Sequence, residues 1–247
     1  MERRDRAALA TFYAPDLAGT GDLSLGTPAA HHASVRRLAA GDAVRLTNGL
    51  GRVGTATITS LRKSELVVEV GTIEEVPRLA PLEVLVPVAD RDRMLWLAEK
   101  CAELAVSVWQ PVVFARSRSV VPRGEGEAFA AKVRARMVAA LEQSGGAWLP
   151  EIRRELPLDA AVGSVAMRAR FVLHSDGEPM DTLGARYGAA VVFGPEGGID
   201  PAEHALLDRL GWRRATLGPT TLRFETAGIA AVAILRAAVT ARYAEDE

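Results

Sequence analysis

Two glycine-bearing strings carry the residue types and spacing best suited to chemistry. The first, Gly194-Pro195-Glu196-Gly197-Gly198-Ile199-Asp200, joins the apolar run Ala189 to Phe193 to the start of a helix. Glycines in such a turn let a ligand approach backbone N–H and C=O groups that side chains would otherwise shield. The helix start is readable: Asp200 stands at the N-cap, Pro201 at the first helical position and Glu203 three residues after the cap. Gly211 is expected to end that helix. About twenty residues beyond the loop comes Leu217-Gly218-Pro219-Thr220-Thr221-Leu222-Arg223-Phe224-Glu225-Thr226-Ala227, again a turn feeding a helix. Two strand–turn–helix junctions this close are expected side by side at one edge of a sheet.

The elements that must position these turns lie beyond Pro81. Continuous apolar runs at Leu82 to Val88, Val108 to Phe114, Phe171 to Leu173 and Ala189 to Phe193 have the pattern of parallel strands covered on both faces. Amphipathic helices run between them. Asp92 to Leu104 is expected to bury Leu97, Cys101 and Leu104, and Glu127 to Glu142 repeats Phe129, Val133, Met137 and Leu141 at helical spacing before Gly145-Gly146 stop it. A last helix, from about Thr226 to Arg242, is rich in small residues. These either permit a tight interface or reflect an alanine-heavy composition.

Before Pro77 the pattern is strand and turn: Ala43 to Leu46, the turn Asn48-Gly49, Gly54 to Thr59 and Glu65 to Val70. Short alternating strands with tight turns suggest a small β-barrel. Gly49-Leu50-Gly51-Arg52-Val53-Gly54 satisfies a dinucleotide-binding pattern, but it runs into a β-branched strand, and that site needs a helix whose N-terminus faces the pyrophosphate. The string is read as a hairpin.

The 247 residues are 49% hydrophobic and 25% charged, with a net charge of −1, enough for one large domain or two smaller ones. The apolar stretch Thr226 to Leu235 is too short to span a bilayer, and the charged start Met1-Glu2-Arg3-Arg4-Asp5-Arg6 is no signal peptide. A cytoplasmic protein without a membrane partner is expected. Cys101 is the single cysteine, which excludes an internal disulfide and any multi-cysteine metal site, and no metal is expected. It is read as a buried packing thiol. Residues 1–75 carry nine Lys/Arg against nine Asp/Glu, so any surface for nucleic acid is local.

G-P-E-G-G-[IL] followed by L-G-x-x-x-L-R-x-E-T-A resembles the C-terminal signature of the RsmE family of ribosomal RNA methyltransferases. The resemblance runs along the chain. Lys100-Cys101-Ala102-Glu103-Leu104-Ala105-Val106 is similar to K-x-x-E-L-G-V, Arg116-Ser117 to an R-S element, and Glu142-Gln143-Ser144-Gly145 with Pro150-Glu151-Ile152 to E-Q-S-G-R…P-E-I. In the N-terminal part, His31…Val35-Arg36-Arg37…Gly41-Asp42 is similar to H-x-x-x-V-L-R…G-D. Ala105 stands where the family has glycine, Gly146 where an arginine follows Q-S-G, and Arg36 where V-L-R has leucine.

The resemblance implies an α/β SPOUT fold whose parallel sheet ends in a C-terminal trefoil knot, spanning 77–247, preceded by a PUA-like β-barrel that holds RNA in residues 1–76. It implies a homodimer that uses S-adenosylmethionine to methylate the 3-nitrogen of a uridine in 16S ribosomal RNA, within the assembled small subunit. The alternatives are a catalytically altered RNA-binding or ribosome-assembly protein of the same fold, and a methyltransferase with a different RNA target. Glycine turns suit an adenine edge and a ribose. The cofactor residues carried over are Leu173, His174, Gly194, Pro195, Glu196, Gly197, Gly198, Ile199, Leu217, Gly218, Leu222 and Arg223. His174 could equally be a strand-end residue facing solvent.

Methylating a uracil ring nitrogen requires loss of the imide proton, so the ring must sit where developing negative charge is favoured. Arg223 is the expected catalytic residue, with Glu225 orienting it through a bidentate pair. A purely structural Arg223–Glu225 ion pair is the other reading. Glu196 is either a general base or a structural hydrogen-bonding group. Arg36, Arg37, Arg52, Arg116 and Arg118 are the expected RNA contacts, with Arg62, Lys63 and Arg123 as further candidates.

Overall fold

The computed structural model describes residues 9–117, 124–180 and 182–243. The chain packs as two compact units, one of residues 1–78 with 138–149 and one of residues 79–137 with 150–247. Among the described residues no helix is long and apolar enough to cross a membrane.

The first unit holds strands β1 (Thr11–Tyr13), β2 (Gly21–Leu25), β3 (Ala43–Thr47), β4 (Arg52–Arg62) and β5 (Glu65–Glu75), in the order β1-β3-β4-β5-β2. The β1–β3 pair is parallel and the rest are antiparallel. Alternation sets the core: Val44 and Leu46, Ala56 and Ile58, and Leu66, Val68 and Val70 face inward with Phe12. The glycine string after β3 is indeed a hairpin turn, closed by the Asn48 carboxamide oxygen accepting from the amides of Leu50 and Arg52 at 2.8 and 3.0 Å.

One element departs from the strand-and-turn reading. Helix α1 (Thr27–Val35) starts with a proline in its first turn and buries Ala29, Ala30 and Ala33 against the sheet. Its apolar face is alanine only, which gives no strong periodic signal. The helix ends where Arg37 turns left-handed, at φ 58°, and the Leu38 amide donates to Ala33 O.

The second unit is a seven-stranded parallel sheet. Its elements are β6 (Leu82–Pro87), α2 (Arg91–Glu103), β7 (Val108–Val113), the first part of α3 (Glu127–Ser144), β8 (Glu151–Ile152), β9 (Leu156–Pro157), α4 (Leu158–Gly163), β10 (Ala169–Pro179), β11 (Ala189–Val192), α5 (Pro201–Arg209), β12 (Arg213–Thr216) and α6 (Phe224–Tyr243). The order is β12-β10-β11-β6-β7-β8, with β9 also on β7, and every pair is parallel. Strands β6 and β11 are buried along their whole length, as the continuous apolar runs require.

This order fixes the site. Strands β11 and β12, which feed the two glycine turns, do not pair with each other; they flank β10. Because all three are parallel, their C-terminal ends share one edge. At that edge β10 shifts register against β12 between Leu173 and Glu178. The small-residue helix α6 packs inside its own unit: a Cβ on Gly228 would stand 2.7 Å from Phe193 and 3.1 Å from Leu97. Cys101 on α2 is fully buried, and burial pushes its thiol well above the usual range, so it packs as a neutral group.

Candidate active site

The loop after β11 is shaped by its glycines and held from outside. The Gly198 amide donates to Pro195 O at 2.8 Å, closing a turn that leaves Gly198 at φ +73°. Gly194 has no room for a side chain, since a Cβ there would sit 2.7 Å from Ile199 Cγ1. Asp200 caps α5 and the capping box is complete: Asp200 Oδ1 accepts from the Ala202 amide at 3.0 Å, and Glu203 Oε2 accepts from the Asp200 amide at 2.9 Å. The other Glu203 oxygen accepts from the Ala115 amide at 2.7 Å. Arg116 donates to Gly197 O at 3.2 Å and to Asp200 at 3.4 Å.

The turn after β12 is tied by Thr216, whose hydroxyl donates to Gly218 O at 3.1 Å. Helix α6 then begins at Phe224, and the Ala227 amide donates to Arg223 O at 2.8 Å. Thr226 therefore lies inside the first turn.

The two turns and the end of β10 enclose one cavity of about 650 Å³. Of the expected cofactor residues, Leu173, His174, Gly194, Pro195, Glu196, Gly198, Ile199, Leu217, Gly218, Leu222 and Arg223 all line it. Gly197 does not; a Cβ there would meet Arg116 Cβ at 3.1 Å. His174 is no idle strand end: its Nδ1 accepts from the Asp176 amide at 3.0 Å, and its ring stands edge-to-face with His204, 4.7 Å between centroids. His204, which also lines the cavity, is held below the usual histidine range by burial first, then by His174 and Arg214. Its Nδ1 is buried with no hydrogen-bond partner among the described residues.

The expected Arg223–Glu225 pair is not made. Arg223 is exposed and has no ion-pair or hydrogen-bond partner for its side chain among the described residues, whereas Glu225 is 6% exposed. The start of α6 separates them, turning position 223 to the cavity and 225 into the packing. Glu225 instead faces Arg93 of α2, with Oε1 3.8 Å from Arg93 Nε. Arg93 Nη1 also meets Glu196 Oε1 at 3.2 Å. Sequence reasoning missed Arg93 and His204. Both sit on ordinary helix surfaces, and only the fold brings their partners to them.

The expected RNA contacts divide. Arg36 and Arg37 are exposed at the end of α1, where Arg36 Nε donates to His32 Nε2 at 3.0 Å and His32 Nδ1 lies 3.4 Å from Glu142. Arg52 is engaged internally, with Nε 2.7 Å from Glu75 and Nη1 reaching Leu17 O and Ala18 O at 3.4 and 3.3 Å. Arg116 is likewise engaged, by the glycine loop. Arg118 and Arg123 lie outside the described residues.

The cavity fits a nucleoside-bearing cofactor: its volume is in the range of small-molecule sites, and at Gly194 and Gly198 the wall is main chain where a side chain would be crowded or strained. Among the described residues no group of three or more His, Cys, Asp or Glu is placed to hold a metal ion.

Comparison with known proteins agrees with this geometry. Residues 76–236 match the family described as RNA methyltransferase domain, and residues 25–71 the RNA methyltransferase PUA domain. The chain is 31% identical over 237 residues to the ribosomal RNA small subunit methyltransferase E of Mycobacterium bovis, covering 90% of this chain and 88% of the relative. The protein of that name from Neisseria gonorrhoeae, solved bound to S-adenosyl methionine, superposes with a TM-score of 0.82 at 25% identity, covering 93% of this chain and 97% of that one. A Legionella pneumophila protein solved with bound cofactor SAM gives the same TM-score at 26% identity, covering 93% of this chain and 98% of that one.

Proposed function

The chain belongs to the RsmE family of ribosomal RNA small subunit methyltransferases, and from that membership we propose that it methylates the 3-nitrogen of a uridine in 16S ribosomal RNA, using S-adenosylmethionine. The observation that carries this reading is the cavity at the shared ends of β10, β11 and β12, walled by two glycine turns and open to an arginine without a protein partner among the described residues.

When bound, the cofactor supplies an electrophilic methyl group on a sulfonium. The main chain of 194–196, 198–199 and 217–218 would hold the nucleoside, with Leu173, Ile199 and Leu222 giving it apolar surface. Arg223 faces the same space with its guanidinium uncommitted, so it stabilises the negative charge that spreads over the uracil ring as the N3 proton leaves. Glu196 is engaged by Arg93, and we assign it to holding the loop; the imide proton passes to solvent through the open mouth of the cavity. Glu225 supports the wall and does not touch substrate.

The exposed Arg36 and Arg37 of the first unit are assigned to the RNA backbone, and Arg52 and Arg116 to holding their own units together. The near-neutral charge of residues 1–75 supports a shaped target, the assembled small subunit, over short RNA, and a protein acting on that target is expected in the cytoplasm. We also propose a homodimer that uses the exposed side of α6, where Ile234 is 41% exposed; light scattering giving a monomer would overturn it.

The decisive experiment is methylation mapping of 16S ribosomal RNA from a strain lacking the protein. One uridine is expected to lose its 3-methyl group and to regain it on addition of the purified protein to small subunits. An unchanged map would leave a binding or assembly role.

A further inference from the structure

Arg93 joins the two glycine turns through one side chain. Its Nη1 meets Glu196 in the turn after β11 at 3.2 Å, and its Nε faces Glu225, one residue into the helix after the second turn, at 3.8 Å. Its own backbone is fixed: the Asp90 carboxylate caps α2 and accepts from the amides of Asp92 and Arg93 at 3.1 and 3.0 Å. A cation in the first turn of a helix opposes the helix dipole, so helix stability does not account for an arginine at this position. The two carboxylates do. Glu225 is buried, and its second oxygen has no hydrogen-bond partner among the described residues, so Arg93 is the cation set against a desolvated carboxylate.

Arg93 also lines the cavity, beside Pro195, Glu196 and Arg223. The loop and the turn come from different strands and touch the cavity from opposite sides of β10. A planar guanidinium can engage a carboxylate on each side at once, which a lysine ammonium does less well.

We propose that Arg93 is a positioning residue for the cofactor: it sets the distance between the two glycine turns, and with it the width of the cavity they enclose. The proposal rests on the reading of that cavity as the S-adenosylmethionine site. A merely structural counter-ion for Glu225 would behave differently, because replacing both members of a buried ion pair with apolar groups of similar size usually preserves stability.

The test compares Arg93→Met, Arg93→Met with Glu225→Met, and Arg93→Lys in the full-length protein, by thermal melting and by calorimetric titration with S-adenosylmethionine. Arg93→Met should melt lower and bind at least roughly tenfold more weakly, the order expected when binding groups are slightly misplaced. The double variant should regain the parent melting temperature while its affinity stays low. Arg93→Lys, which keeps the charge, should fold normally and bind several-fold more weakly. Recovery of affinity together with melting temperature in the double variant, or parent affinity in Arg93→Lys, overturns the proposal. The binding measurement contains no RNA, so it stands even if ribosomal methylation mapping fails.

Discussion

The imidazoles of His174 and His204 meet edge to face, 4.7 Å between centroids, at the wall of the cavity between the two glycine turns. His204 is held below the usual histidine range by its burial first, then by His174 and Arg214, against weaker opposition from Asp208 and Glu203. Its folded form binds a proton less readily than the unfolded chain, whose histidines titrate near ~6.5. The stability this contributes is complete above that value and is lost as pH falls through the lower folded value. Melting temperature is therefore expected to drop as the solution is acidified through ~6.5 and below, and to drop less in His204→Leu. Equal pH dependence in the two proteins would remove His204 from the account.

The two loop glycines fail for different reasons. Gly194→Ala meets Ile199, while at Gly198 a Cβ meets only the tip of Arg116 at 3.8 Å but Gly198→Val forces a β-branched residue to φ +73°. The left-handed conformation costs an L-residue about 1–2 kcal/mol. Both variants should lose S-adenosylmethionine binding while remaining folded by circular dichroism. Calorimetry giving parent affinity for either would show that the loop does not contact the cofactor.

Arg223→Ala should lower single-turnover methylation by roughly a hundredfold, the scale of losing one preorganised charge-stabilising donor. Because the side chain has no partner among the described residues, melting temperature should not change. Cofactor affinity should shift little, and unaffected turnover at saturating small subunits would refute the assignment.

Ala105 ends α2 at φ +53°, and its carbonyl accepts from Arg236 Nη2 at 2.6 Å. Relief of the ~1–2 kcal/mol conformational cost, less the ~0.5–1 kcal/mol of extra unfolded-chain freedom that glycine brings, should make Ala105→Gly more stable by roughly 0.5–1 kcal/mol. Urea unfolding measures this directly, and a destabilised variant would mean that the methyl group packs better than its backbone angle suggests.

Reversing the charge of Arg36 and Arg37 should weaken binding to small subunits and flatten its salt dependence, as expected when phosphate contacts are lost, with S-adenosylmethionine affinity unchanged. Arg52→Ala should act instead on melting temperature, because its guanidinium is bound to Glu75 and two carbonyls. A filter-binding salt series separates the two effects, and identical slopes for parent and double variant would exclude the end of α1 as an RNA contact.

The parallel sheet, the hairpin, the capping box at Asp200 and the two glycine turns that wall the cavity were legible because each is written in local sequence. A turn announces itself through glycine and proline, and a cap through three residues. The features that escaped depended on distance in the chain. Helix α1 hides because alanine supplies its buried face, and Arg93 has no neighbour in sequence that betrays Glu196 or Glu225. The expected Arg223–Glu225 pair failed for a geometric reason: residues two apart at a helix start project in different directions.

Residues 138–149 pack with the first unit. They supply Glu142 to the Tyr13 amide, the Gly145 carbonyl to Arg45, and an Ala147 carbonyl to the Gly51 amide. During synthesis, therefore, the sheet that leaves the ribosome first lacks these partners until β6, α2 and β7 have emerged behind it. At ~5–20 residues per second the delay is on the order of several seconds. The N-terminal unit is first to emerge but is completed late, so the nascent chain must keep its early strands unaggregated through that interval.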